Sequence, residues 1–150
     1  MQRSIVVFNL DEQQYALHLS AVERIVRVAE ITPVPQAPAI VLGVINVQGR
    51  VIPVINIRKR FHLPDRETSL SDHLIIARTA KRAAALVADA VVSVVERWEE
   101  ELTAADRILP GLEYVEGVVK LEDGLILIHN LDTFLSLEEE KTLEQAMTPT

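Results

Sequence analysis

Short aliphatic runs closed by Gly, Pro, Asn, Asp, Gln or Arg dominate the 150-residue chain, and this punctuation constrains the fold more than any other feature. A Val/Ile/Leu-rich run bounded by turn residues cannot extend into a long helix, and it reads as a strand. Ser4–Leu10 and Gln13–Leu19 flank Asp11-Glu12 and form a predicted hairpin, and Arg24–Glu30 continues the alternation. Ile40–Val47 and Arg50–Ile57 meet at Gln48-Gly49, a tight-hairpin signal. His73–Thr79, Arg82–Asp89 and Val91–Trp98 follow, and Tyr114–Leu121 pairs with Gly124–Asn130 across Glu122-Asp123. About ten short strands at this spacing predict a barrel or sandwich, not a parallel α/β sheet.

The exceptions to the strand pattern are local. Ser20-Ala21-Val22-Glu23 carries a capping-box pattern and predicts one turn of helix. Pro33, Pro35 and Pro38 make a rigid extended loop, because proline cannot donate to a sheet ladder. Gly43 inside a strand predicts a bulge or a close backbone approach, and Pro53 predicts an edge or bulge. Leu63–Asp72 reads as a linking loop and Glu99–Leu109 as irregular, with a short helix start at Thr103-Ala104-Ala105-Asp106. Asp132–Met147 reads as helical, its stripe formed by Phe134, Leu135, Leu137 and Leu143. Pro149 ends it, so residues 138–150 are expected to be a helix with a frayed tail.

Apolar residues make up 49% of the chain and aromatics only 4%, so aliphatic side chains must fill the core. A chain of this length buries about 68–70% of its unfolded surface, enough for a core without staples. There is no cysteine, which removes disulfides, thiolate nucleophiles and Cys-based zinc sites and is compatible with the cytosol. No run approaches the roughly 18 apolar residues of a membrane span, and no signal-peptide region is expected at the start. A net charge of −7 argues against a nucleic-acid partner.

Catalytic constellations are nearly absent. His18, His62, His73 and His129 never fall at metal-ligand spacing, and isolated strand or loop histidines are the expected reading. His129 is expected to cap a half-buried strand face. No nucleophile elbow and no phosphate-binding Gly loop occurs. Asp11/Glu12 and Glu122/Asp123 read as solvated turn carboxylates. Asp89, next to the run Ala83–Ala88, must find hydrogen-bond partners, either as a strand-end clamp or as a catalytic base. Trp98 is either a satellite core contact or a partner-facing anchor.

Val41-Leu42-Gly43-Val44-Ile45-Asn46-Val47-Gln48-Gly49 followed by Val51-Ile52-Pro53-Val54-Ile55-Asn56-Ile57-Arg58 resembles the signature hairpin of the CheW-like domain family. Phe8 and Tyr15-Ala16-Leu17 match its opening hairpin, and Val22-Glu23-Arg24-Ile25 the step into the next strand. Leu86-Val87-Ala88-Asp89-Ala90-Val91 resembles its second-half stretch, and Val115-Glu116-Gly117-Val118 with Asp123–Ile128 its closing hairpin. The resemblance spans residues 4–137 in order.

The resemblance implies an all-β fold: two small five-stranded SH3-like barrels packed on a shared hydrophobic core, with a short C-terminal helix. Residues 1–150 would form a single domain of two interleaved barrel subdomains. It implies a non-catalytic, cofactor-free, metal-free cytoplasmic adaptor at receptor arrays near the inner membrane. Its partners would be the cytoplasmic tip of a methyl-accepting chemoreceptor and the CheW-like regulatory domain of a CheA-type histidine kinase. Carried over by position, Val22, Gly43, Val44, Asn46 and Gln48 would face the receptor, and Glu23 and Arg24 the kinase. Gln48 stands where the family usually has arginine, with Arg50 two residues on, and Arg24 stands where an acid is usual. Ala85 replaces a glycine, and His129-Asn130 a Leu-Asp pair. These departures bear on partner identity, not on fold. Beside this reading stand a decoy that occupies a partner without coupling, a small-ligand-binding barrel, and an enzyme built on Asp89 and His129.

Overall fold

Alternation along the strands sends successive side chains to two different cores. The computed structural model describes residues 2–28, 30–98, 102–104, 115–121 and 124–147. Eleven strands occur among them: β1 (Gln2–Leu10), β2 (Gln13–His18), β3 (Val22–Arg27), β4 (Val41–Val47), β5 (Arg50–Ile55), β6 (His73–Arg78), β7 (Ala83–Ala88), β8 (Ala90–Trp98), β9 (Leu102–Ala104), β10 (Val115–Leu121) and β11 (Gly124–His129). Two helices join them, α1 (Ile57–Arg60) and α2 (Leu137–Met147). One sheet has the order β8-β1-β2-β11-β10-β9 and the other β3-β6-β7-β5-β4. The chain therefore begins in the first barrel, crosses to the second at Leu19–Ala21, and returns through Asp89.

Three apolar clusters follow from the pleat. Ile5, Val7, Ala16, Val119, Ile126 and Ile128 fill the first barrel, and Ile45, Ile52, Val54, Leu74, Ile76 and Ala85 the second. The intervening residues of the same strands, among them Phe8, Leu10, Leu17, Ile55, Ile75 and Leu86, point the other way into a core shared by the two barrels. Strands buried on both faces must be continuously apolar over the buried span, as Ile5–Phe8 and Leu74–Ala77 are.

The two-barrel, all-β expectation and the C-terminal helix agree with the structure, and four details differ. The first sheet has a sixth short strand, β9, where irregular or helical backbone was expected; it pairs with β10 from Gly117↔Ala104 to Val119↔Leu102. Each sheet contains one parallel pair, β2 with β11 and β5 with β7, between strands too distant in sequence for hairpin logic to reach. Ser20 is not a helix cap: Leu19–Ala21 is a single 3-10 turn, and Val22 and Glu23 already belong to β3. The predicted helix over Asp132–Met147 is a 3-10 turn at Leu131–Thr133 and then α2. Asp106, Glu122-Asp123, Glu99–Glu101 and the tail 148–150 lie outside the described residues.

Gly43 and Pro53 behave as strand punctuation requires. The β4–β5 register shifts between Val41 and Gly43. Thr32 then pairs with Val44 through two backbone hydrogen bonds of 2.9 and 2.8 Å, so the segment after β3 reaches the far edge strand β4 and closes the second barrel. A Cβ on Gly43 would lie 2.3 Å from the Thr32 carbonyl oxygen. Pro53 pairs with Val44, while the ladder to β7 holds only Val54 and Ile55, so proline occupies the part of β5 with one neighbour.

Candidate functional site: the hairpin tip, its ion pairs and the barrel junction

Gln48 and Gly49 both take positive φ, 52° and 85°, which a two-residue primed turn demands. The Gly49 amide donates to Asn46 Oδ1 at 2.9 Å, tying the side chain of one strand to the turn. Asn46 and Gln48 are exposed, Val44 is half-buried and Gly43 is buried. On β3, Val22 is half-buried against the shared core, and Glu23 and Arg24 are exposed.

An ion-pair bridge links these two segments. Glu23 accepts from Arg50 Nη1 at 3.0 Å and from Arg78 Nη1 at 3.3 Å. β3 and β4 are opposite edges of the second sheet, so this contact between β3 and the start of β5 spans the seam that closes the barrel. The Arg50 hydrogen bond, with help from Arg78, holds the Glu23 carboxyl below its ordinary value. Thus Glu23, Asn46, Gln48 and Arg50 share one end of the second barrel, with Arg24 beside them in β3 opposite Ile76. Gly43 contributes through backbone closure.

Exposed apolar side chains extend the surface. Val51 is 58% exposed on the same hairpin, and Ile25 and Leu42 are also open. On the first barrel Val92, Val94 and Trp98 lie at alternate positions along the edge strand β8, with Trp98 52% exposed. Alternation around Val51 and Val94 was visible in the sequence; which face lacked a cover was not.

Asp89 is a clamp where the chain returns to the first barrel. Its carboxylate accepts from Arg58 Nη2 at 2.9 and 2.8 Å, from Arg66 Nη2 at 2.6 Å and from the Asp11 amide at 2.7 Å. Arg58, only 8% exposed, also reaches Asp11 Oδ1 at 2.8 Å and the Pro64 carbonyl at 3.1 Å. Arg66 continues to Asp72 Oδ1 at 2.8 Å, pinning the Leu63–Asp72 loop. Burial alone pushes the Asp89 carboxyl up, but hydrogen bonds from Arg58, the Asp11 amide and Arg66 outweigh it and leave it below the ordinary range. Asp11, expected as a solvated turn carboxylate, is instead part of this junction; its partners lie 47 and 78 residues away, beyond any local signal.

His129 is 3% exposed rather than the cap of a half-buried face. Its ring stacks on Phe61 with centroids 4.2 Å apart, beside Tyr15 at 5.1 Å and Phe134 at 5.8 Å. Asp89 and His129 thus serve different assemblies, an arginine clamp and an aromatic stack. Among the described residues no three His, Asp or Glu side chains group as a metal site, and no helix is long and apolar enough to cross a membrane.

The profile of the CheW-like domain matches residues 4–139. A chemotaxis protein CheW from Treponema pallidum is 28% identical over 148 residues, covering 95% of this chain and 87% of that protein. One from Thermotoga maritima is 29% identical over 143 residues, covering 95% and 92%. The crystal structure of the scaffolding protein TtCheW from Thermoanaerobacter tengcongensis superposes with a TM-score of 0.84 at 32% identity, over 93% of this chain and 96% of that one.

Proposed function

The chain belongs to the CheW-like domain family, and we propose on that premise that it is an adaptor in chemotaxis-type signalling. The observation that carries the reading is the end-to-end match to a structure described as a scaffolding protein, at a TM-score of 0.84. The surface supports it: apolar side chains stand open on both barrels, Val51 and Ile25 on one, Val94 and Trp98 on the other. Apolar anchors framed by charge are what a docking surface needs.

The proposed partners are a chemoreceptor cytoplasmic tip and a CheA-type histidine kinase, met in the cytoplasm at receptor arrays. The hairpin tip, with Val44, Asn46 and Gln48 supported by Gly43 and Val22, forms the proposed receptor face. Glu23 and Arg24 form the proposed kinase face. Because Glu23 is held by Arg50, whose residue begins the same hairpin strand, the two faces are physically adjacent. The decoy and ligand-binding readings have no such observation behind them.

Calorimetric titration with a receptor-tip fragment and with the kinase regulatory domain tests the proposal. Gln48→Glu is expected to weaken the receptor about tenfold and spare the kinase, and Arg24→Ala the reverse. Parent protein that binds neither partner would overturn it.

A further inference from the structure

The C-terminal helix α2 lies mostly beyond the family match, which ends at residue 139. It is nevertheless seated on the domain by both charge and apolar burial. Ser136 and Glu139 form a reciprocal capping box: the Glu139 amide donates to Ser136 Oγ at 3.1 Å and the Ser136 amide to Glu139 Oε1 at 2.8 Å. Glu139 also accepts from Arg60 Nη2 at 2.5 Å. One residue on, Glu140 accepts from Arg82 at 3.1 Å, and the Arg82 Nη1 lies 3.9 Å from Met147 Sδ. Between these anchors Leu143 is fully buried in the core shared by the barrels.

The receiving surface is basic on an acidic protein. Lys59, Arg60 and His62 line a cavity with Ala39 and Ile40 beside Glu139, and Arg82 stands at Glu140. An isolated helix of 11 residues is marginal in water, so α2 is ordered by this docking and not by itself. Glu138, Lys141, Thr142, Glu144 and Gln145 are exposed.

We propose that this groove is a helix-docking site which α2 fills in cis. It would accept in trans a partner's amphipathic helix bearing two adjacent acids followed, three and seven positions after the second, by apolar residues. The pattern is copied from what the groove already holds: Glu139, Glu140, Leu143 and Met147. Acid-specific recognition comes from Arg60 and Arg82, and depth from the Leu143 site. While α2 is docked, its high local concentration masks the groove, and a helix in trans meets only the undocked fraction. None of the residues of the proposed adaptor faces lines this cavity, so the test below does not depend on them.

The test uses the full chain carrying Glu139→Lys and Glu140→Lys, which sets α2 against Arg60 and Arg82, and a fluorescein-labelled peptide of residues 136–147. The variant is expected to bind the peptide at least about tenfold more tightly than the parent, a ratio that requires α2 to be docked more than nine-tenths of the time. A peptide with lysine at both acidic positions is expected not to bind, and adding Arg82→Glu to the variant is expected to abolish binding. Equal binding by parent and variant, or none by a variant that still melts cooperatively, would overturn the proposal. A dimer in which copies exchange α2 would overturn occupancy in cis. Should the variant not fold, hydrogen exchange on the parent decides: α2 amides are expected to exchange faster than those of β6 and β7, and exchange only through global unfolding would contradict a displaceable helix.

Discussion

Replacing Gly43 by alanine puts a methyl carbon 2.3 Å from the Thr32 carbonyl oxygen and 2.9 Å from the Ile31 side chain, at a backbone φ of +156°. The obstacle is backbone, not the end of a flexible side chain, so the Thr32 strand must retreat. That retreat breaks the two hydrogen bonds to Val44, of 2.9 and 2.8 Å, that close the second barrel. Each such bond contributes about 0.5–1.5 kcal/mol net, and overpacking a close contact costs about 1–3 kcal/mol, giving a loss of about 2–6 kcal/mol. With a urea slope of about 2 kcal/mol per molar, the midpoint falls by about 1–3 M. Gly124→Ala is the control, because nothing lies within 4 Å of a Cβ there; its midpoint is expected to stay within about 0.3 M of the parent. A Gly43→Ala midpoint equally close to the parent would refute the closure argument. The outcome also governs how binding data are read: lost receptor affinity at Gly43 reports an opened barrel, whereas loss at Gln48 reports a contact.

Asp89→Asn leaves the buried Arg58 with Asp11 and the Pro64 carbonyl, and is expected to destabilise by about 2–3 kcal/mol in urea unfolding. The Asp89 and Glu139 carboxyls are both held below their ordinary values. Their stabilisation is therefore present above the unfolded carboxylate range and is lost as pH falls through the folded values; a pH-dependent melting series should show this acid-side loss shrink in Asp89→Asn. Leu143→Ala empties a fully buried site and is expected to cost about 2–5 kcal/mol, with the loss read by thermal melting. Glu23→Gln releases Arg50 and Arg78 at an exposed seam, so the melting temperature should move little while amide exchange near Arg50 quickens.

Much of the architecture was legible because the strands obey period two between turn residues whose chemistry is specific. Gln48-Gly49 marked the tight hairpin turn, and Gly43 marked a bulge or a close backbone approach, though not that Thr32 was the neighbour. Asp89 had to find donors, since a carboxylate beside a buried strand requires them, whether as a clamp or as a base. Its donors could not be named, because Arg58 and Arg66 arrive from a helix and a loop that only the fold brings there. For the same reason Asp11 looked like an ordinary turn acid, and His129 like a lone strand histidine rather than a ring stacked on Phe61. The parallel pairs and β9 escaped notice because pairing between strands distant in sequence leaves no local mark. At the hairpin, Gln48 and Arg24 departed from the family pattern, and the Glu23–Arg50 pair became visible only once β3 and β5 met.

The proposed coupling role is tested most directly by analytical ultracentrifugation of the chain mixed with a receptor-tip fragment and a CheA-type kinase. One complex containing all three components, absent when this chain is omitted, is the expected result. Two binary complexes that exclude each other, or no complex with either protein, would contradict the account.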